Sequence, residues 1–372
     1  MNKTYRAVII GDNEHGAFGH YLDRAFDLVP RVEVCAVADP VEAGLKRSLE
    51  RSKAQRGYTD YRQMLKKERA ELAVIAPRFC DRRKEMVLAC VEAGVKGIYL
   101  EKPIAASVAD ADAMVEAGDR ADVRVVVDHW RAGGDVRKAK ELVASGAIGQ
   151  LQIIRGHGKN DARAGGVDLM LLGTHVLDAM RHLAGAEVTW VHGRVTKDGR
   201  EVTRADAFDG PEGMPRTAGN GIMAEFAFAN GVIGFYESIP TSKDKDQALP
   251  AGSNYLGMEI CGMRGILALR YRSLYHYPRG QWLAGDSSVK WEKIDLGDWE
   301  KPAAETYYVR CHEKCITELL RAIEENRAPR EVSTLHDSRV VTEMIMAVHQ
   351  SHLAGKRILL PLADRTNPYS SS

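Results

Sequence analysis

Short unbroken apolar runs alternate with amphipathic stretches through the first third of the chain. Arg6-Ala-Val-Ile-Ile10 and Val32-Glu-Val-Cys-Ala-Val-Ala38 open the series, and 72–76, 96–100 and 123–127 continue it. Runs this short and this rich in β-branched residues predict strands buried on both faces. Between them, apolar positions at helical spacing predict helices over 17–28, 41–55, 61–68, 83–93 and 108–117. Strands that alternate with helices imply a parallel sheet with right-handed crossovers, a doubly wound α/β unit ending near residue 127.

Beyond residue 128 the pattern changes. One helix over 136–145 stops at Gly146, and β-rich segments follow at 151–156, 188–195, 222–229, 232–238, 257–261 and 266–271. Ala229-Asn230-Gly231 predicts a hairpin, because Asn-Gly suits a turn that needs positive φ. Helices are expected at 312–325 and 338–353, packed at the edge or back of this second, antiparallel or mixed sheet. The stretch 241–254 reads as a long exposed loop and 366–372 as a frayed tail. The expected division is therefore 1–127 and 128–372.

Size agrees, since 372 residues exceed what one core normally supports. The 52 basic and 51 acidic residues leave a net charge of +1, no field for nucleic acid or an acidic membrane, and so favour a small-molecule ligand. Six cysteines show no paired framework, which suits a reducing compartment. Cys311 and Cys315 stand one helical turn apart, but without a completing Cys/His cluster they read as helix packing, and no metal is expected. The start of the chain reads as a first strand rather than a leader, and no stretch approaches the roughly 20 apolar residues of a membrane helix. A cytoplasmic protein is the expectation.

Chemistry concentrates at the ends of the first-unit strands. Gly11-Asp-Asn-Glu-His-Gly16 has the spacing of G-x-G-x-x-G, with Asn13 for the middle glycine and His15 just before Gly16. Backbone must approach a pyrophosphate closely there, and Asn is among the few residues besides glycine that tolerate left-handed φ. The helix expected next would offer its amino terminus to phosphate. Asp39, ending the second strand some 20 residues on, can accept both adenosine ribose hydroxyls and would repel a 2′-phosphate, so NAD is expected rather than NADP. Ala76-Pro77, followed by Arg78, and Glu101-Lys102-Pro103 end later strands, where open α/β sheets bind ligands.

Together with Gly173-Thr174-His175 and Asp178, these motifs resemble the Gfo/Idh/MocA oxidoreductases over nearly the whole chain. The resemblance implies a Rossmann domain for NAD and a second α+β domain with a large open, mainly antiparallel sheet for substrate and subunit contacts, in a homodimer or homotetramer. It further implies hydride transfer at a secondary hydroxyl of a sugar, glycoside or cyclitol, with Lys102 on the reacting hydroxyl and His175 as acid/base. The chemistry is reasonable on its own terms: a histidine near neutrality can take the alcohol proton, and a lysine stabilises developing alkoxide.

Two positions depart from the family pattern. Leu171 stands where an aspartate commonly precedes the histidine by one turn; Asp168, two turns before His175, and Asp178, one turn after, are expected on roughly its face. Asp178 would orient the imidazole, while Asp168 would bind another substrate hydroxyl. At Asp128-His129-Trp130-Arg131 only Arg131 matches; Trp130 and Arg131 are expected near the cofactor. His157, Lys159, Asp161 and Arg163 are candidates for the substrate mouth. Two other readings compete with net dehydrogenation: redox-neutral glycoside cleavage through a transient keto-sugar, and a cofactor-binding regulatory protein without turnover.

Overall fold

The computed structural model describes residues 3–159, 161–240, 256–270, 272–282, 287–300 and 303–370. The loop expected at 241–254 and Tyr271 fall outside the described residues. The chain forms two compact units, the first made of Met1–Ala132, Pro211–Pro215 and Ala303–Thr342, the second of Gly133–Gly210, Arg216–Pro302 and Glu343–Ser372.

In the first unit the chain runs β1 (Tyr5–Ile10), β2 (Val32–Ala38), α1 (Glu42–Ser52), β3 (Arg56–Tyr58), α2 (Tyr61–Glu68), β4 (Leu72–Ile75), α3 (Arg83–Glu92), β5 (Gly97–Leu100), α4 (Val108–Arg120) and β6 (Arg124–Val127). All six strands pair in parallel, in the order β6-β5-β4-β1-β2-β3. Alternation divides the two faces: Ile98 and Leu100 join the apolar cluster of Met64, Met86, Val87, Ala111 and Met114 from α2, α3 and α4. Side-chain caps start two of these helices, Asp60 accepting from the Arg62 N–H at 2.8 Å and Ser107 from Asp110 at 3.1 Å.

The helix expected over 17–28 is the main local departure. After Gly16 (φ +89°) the chain makes a 3₁₀ segment, Gly19–Arg24, in which His20 (φ +43°) and Tyr21 (φ +62°) are left-handed. Glycine at position 19 and hydrogen bonds from neighbouring strand ends outweigh the helical spacing of apolar positions here.

The second unit holds α5 (Gly134–Ala144), β7 (Leu151–His157), a single turn α6 (Gly166–Asp168), α7 (Thr174–Ala184), β8 (Val188–Lys197), β9 (Arg200–Glu201), β10 (Gly221–Phe228), β11 (Ile233–Ser238), β12 (Gly257–Gly262), β13 (Ile266–Arg270), β14 (Ser273–Tyr277) and β15 (Glu292–Ile294). A π-helical turn, Leu169–Gly173, joins α6 to α7. Gly231 at φ +87° closes the β10–β11 hairpin as its Asn-Gly pair predicts.

The chain ends with α8 (Ala304–Glu324), β16 (Ser333–Thr334), α9 (Leu335–Ala354) and β17 (Ile358–Leu359). Contrary to expectation, α8 packs on β5 and β6 of the first sheet: a Cβ on Gly97 would stand 2.7 Å from Ile323 and 3.3 Å from Leu319. With α8 on the face away from α2–α4, the first sheet is doubly wound, and β16 adds an antiparallel strand to β6. The second sheet runs β15-β14-β13-β12-β7-β11-β10-β8-β17, with β9 paired to β8; it is antiparallel except at β7–β11. The described part of the tail is docked rather than frayed, because Asn367 donates to the Arg216 carbonyl at 3.0 Å and Tyr369 is buried against His349.

Candidate functional site

The carboxyl ends of β1, β2, β4, β5 and β6 carry most of the residues singled out above. Gly11 leaves β1 with its N–H on Ala38 O at 2.9 Å, and a Cβ there would stand 2.1 Å from the Phe18 ring. At Gly16 positive φ and the closeness of Arg78 and Phe79 exclude a side chain. Asp12 organises the turn by accepting from the Glu14 and His15 N–H groups, both at 3.1 Å. Asp39 is fully buried at the end of β2; it accepts from Val41 N–H at 3.0 Å, Asn13 N–H at 3.3 Å and the Asn13 side-chain amide.

These residues fit a dinucleotide: two positions closed to any Cβ allow close backbone approach, and a carboxylate ends the second strand. The regular helix amino terminus expected for the pyrophosphate is replaced by the 3₁₀ segment. Asn13 occupies Asp39 with a donor of the kind a ribose hydroxyl supplies.

Arg83, which reads in sequence as a helix-surface charge, is buried under this edge. Its guanidinium donates to the carbonyls of Pro77 and Pro103, and to Phe79 at 3.3 Å, fastening the Ala76-Pro77-Arg78 loop to the Lys102-Pro103 loop. The Lys102–Pro103 peptide is cis.

Lys102 is only 7% exposed, and its Nζ lies 4.0 Å from Glu101 Oε1. Burial pulls its pKa below the usual lysine value, while the charges of Glu101, Asp128 and Glu212 oppose the shift. Behind it is a cluster that sequence reasoning missed. His20 Nδ1 stands 3.0 Å from Glu101 Oε1 and 3.3 Å from Asp128 Oδ2. The Tyr99 hydroxyl donates to Asp128 at 2.7 Å and lies 2.9 Å from His312 Nδ1, while His312 Nε2 donates to the His20 carbonyl at 2.9 Å. A Cβ on Gly19 would meet Glu101 at 2.5 Å, so the glycine lets the turn close on the carboxylate. Burial opposes a charge on His20, but Glu101 and Asp128 outweigh it and raise its pKa to about 9. The Gly19 next to a polar aromatic was the available sequence signal.

Trp130 and Arg131 lie in a buried 3₁₀ turn after β6, with Arg131 3.3 Å from Asp337 and 3.4 Å from the Val332 carbonyl.

In the second unit, His175 and Asp178 are both buried on α7. The π turn makes i→i+5 bonds, so α-helical spacing no longer puts Asp168 on the face of His175. Asp168 instead accepts from Ser238 Oγ at 2.6 Å. His157 is on β7 rather than in a loop. A Cβ on neighbouring Gly156 would meet Val176 and Met180 of α7, so His157 faces the opposite side of the sheet, between Glu237 (3.1 Å) and Glu259 (2.7 Å). Lys159, Asp161 and Arg163 close on one another, with Arg163 Nη2 2.7 Å and Lys159 Nζ 3.4 Å from Asp161.

A doubly wound sheet with glycine turn, Asp39 and buried lysine at its carboxyl edge defines a dinucleotide-binding oxidoreductase fold. Residues 5–129 match the family model described as "Oxidoreductase family, NAD-binding Rossmann fold", and 136–268 match the "GFO/IDH/MocA C-terminal domain". The chain thus belongs to the Gfo/Idh/MocA family and carries its NAD-binding Rossmann domain. It is 26% identical over 261 residues to dehydrogenase aclE of Aspergillus oryzae, covering 65% of this chain and 69% of that protein. It is 27% identical over 161 residues to myo-inositol 2-dehydrogenase of Thermotoga maritima, covering 41% of this chain and 48% of the relative, less than half its length. Levoglucosan dehydrogenase, solved with NADH and levoglucosan, shares the fold at a TM-score of 0.73, with 20% identity, 97% of this chain and 100% of that one. An Agrobacterium radiobacter oxidoreductase, solved with NAD+, L-tartaric acid and magnesium, also shares it, at a TM-score of 0.73, with 16% identity, 96% of this chain and 98% of that one.

Proposed function

We propose that this protein is an NAD-dependent dehydrogenase acting on a secondary hydroxyl of a sugar, glycoside or cyclitol. The observation that carries the reading is Lys102: a buried amine with lowered proton affinity at the end of β5, on an NAD-binding fold. Such a lysine can hydrogen-bond the reacting hydroxyl and take up its proton. The myo-inositol 2-dehydrogenase and levoglucosan dehydrogenase to which the chain is similar support the substrate class.

Bound NAD supplies the hydride acceptor. Residues 1–127 hold it, with Gly11 to Gly16 at the pyrophosphate, Asp39 at the ribose and Ala76-Pro77-Arg78 beside it. The second unit, rather than the whole of 128–372, supplies substrate and subunit contacts in a cytoplasmic homo-oligomer. His175 acts as acid/base on the same substrate. Asp178, three residues on along the same regular helix, supports it better than Asp168, which is bonded to Ser238.

The test is a panel of inositols, sugars and glycosides, followed by NADH absorbance with aglycone release measured in parallel. NADH accumulation with at least one polyol is expected, and Lys102→Ala should lower turnover by about 10²-fold or more with NAD affinity kept within about twofold. Aglycone release without net NADH would instead establish redox-neutral cleavage. NAD binding with no hydride exchange on any member would sink the dehydrogenase reading.

A further inference from the structure

The chain accepts backbone strain to build the His20 cluster. His20 and Tyr21 both take left-handed φ, a strained state for residues that carry a side chain, and the absence of a side chain at Gly19 lets the turn reach Glu101. The result is a continuous line of titratable groups: Lys102 Nζ to Glu101 at 4.0 Å, Glu101 to His20 at 3.0 Å, His20 to Asp128 at 3.3 Å, Asp128 to Tyr99 at 2.7 Å and Tyr99 to His312 at 2.9 Å. Lys102, Glu101, Asp128 and His312 are all buried, whereas the His20 side chain keeps 19% of its surface exposed.

We propose that His20 is a proton relay and positioning residue for Lys102, receiving through Glu101 the proton that leaves the substrate hydroxyl and releasing one to water. The proposal rests on the reading of Lys102 as the group at that hydroxyl. The step balances: the C–H electron pair leaves as hydride to NAD+, the O–H proton goes to the Lys102 amine, and the C=O bond forms. Lys102, an ammonium at rest, first becomes that amine by passing one proton through Glu101 to His20 while His20 gives one to water, so the proton taken from one substrate leaves in the next turnover and both residues end the step as cations.

Three features support this beyond proximity. Burial lowers the proton affinity of Lys102, while Glu101 and Asp128 raise that of His20 to about 9, so the proton affinities of donor and acceptor are shifted toward each other. Proton counting points the same way. His312 donates through Nε2 to the His20 carbonyl, so the single Tyr99 proton serves either Asp128 or His312 Nδ1 at one time, and burial lowers the proton affinity of His312, so this end of the line holds His20 in place and leaves the proton to His20. Charge is favourable too, since Glu101 and Asp128 face His20 while Glu101, Asp128 and Glu212 act on Lys102. His20, Glu101 and Asp128 bring ligand atoms within 4.8 Å of one another, close enough for a metal ion, which would take the place of the His20 proton. Beside His20 also lie His312 and the Tyr308 ring at 4.9 Å, neither of them anionic.

The experiment is a ¹⁵N-histidine NMR titration of the full chain, wild type, Lys102→Met and His20→Gln, with metal content measured on the same samples. The His20 signals, assigned by their loss in His20→Gln, should keep the imidazolium form past pH 8, and their midpoint should rise by about one unit in Lys102→Met as a neighbouring positive charge is removed. A midpoint near 6.5 that does not respond to Lys102→Met would overturn the relay. So would stoichiometric bound metal whose removal with EDTA changes the His20 signals. This arm needs no substrate, so it stands apart from the dehydrogenase reading. With any polyol that reduces NAD, His20→Gln should lower kcat by about 10–100-fold and alter its pH profile and solvent isotope effect, with KM and NAD affinity held within about twofold. Unchanged kcat and isotope effect in a folded His20→Gln protein would also overturn it.

Discussion

Asp39 and Asn13 show how one residue exchange alters a cofactor loop. The carboxylate already accepts from Val41, from Asn13 N–H and from the Asn13 amide, so a ribose hydroxyl must share or displace the amide. Removing the carboxylate in Asp39→Ala deletes hydrogen bonds to a charged group, worth about 1.5–3 kcal/mol. The NAD Kd, measured by calorimetry, should therefore rise about 10–100-fold. Asn13→Gly removes the internal competitor and should leave the Kd unchanged or up to about tenfold lower; a large weakening there would mean that Asn13 itself holds the cofactor. The same scale explains what was legible in the sequence. Lys102 and Asp39 could be placed because each ends an apolar run, so local pattern alone puts them on the sheet edge. His20 could not, because its partner Glu101 lies 81 residues away and Asp128 still further. His157 misled for the opposite reason: its polarity suggested a loop, whereas Glu237 and Glu259 make a buried strand position tolerable for it.

At the level of elements, the buried strands and, apart from the 17–28 segment, the helices between them follow the apolar pattern to within a few residues. The misses are elements whose stability comes from elsewhere. β3 is Arg-Gly-Tyr, with no apolar run, and persists at the sheet edge because Glu68 at the end of α2 binds Arg56 at 2.6 and 2.7 Å, Tyr58 at 2.6 Å and Arg6 of β1 at 2.9 Å. The π turn before α7 leaves no mark in apolar spacing, yet it cancels the expected alignment of Asp168 with His175. Glu68 also yields a pH prediction. Its hydrogen bond to Arg56, against an opposing burial cost, lowers its pKa from 4.5 to about 2. Its contribution is thus complete above about pH 4.5 and lost as pH falls through about 2. Since the arginines are 47% and 48% exposed, about 1–2 kcal/mol is a fair discounted value. Urea unfolding of wild type and Glu68→Gln should differ by that amount at pH 6, and the gap should close toward pH 2. A gap constant with pH would assign the loss to packing instead of charge.

For the whole molecule, the decisive fact is that neither unit is contiguous in sequence. The chain passes between them after residues 132, 210, 215, 302 and 342, the last time within the single helix α9. Linear pattern reading places one boundary near 127 because the texture changes there, and it has no means of seeing that α8 returns to cover β5 and β6. This connectivity has a thermodynamic consequence. Unfolding the first unit releases α8 and the amino-terminal half of α9, and a helix that has lost its first turns loses the cooperative support of the remainder. The two units should therefore melt together, although each has a core large enough to unfold alone. Leu319, buried on α8, gives the handle: Leu319→Ala should cost about 2–5 kcal/mol, entirely within the first unit. The five tryptophans divide usefully, Trp130 in the first unit and Trp190, Trp282, Trp291 and Trp299 in the second. With 5-fluorotryptophan incorporated, ¹⁹F spectra across a urea series should show Trp130 and Trp190 changing at one shared midpoint, and Leu319→Ala should move both to lower urea by the same amount. If Trp130 alone shifts while Trp190 keeps its midpoint, the units unfold independently and the repeated chain crossings do not couple them.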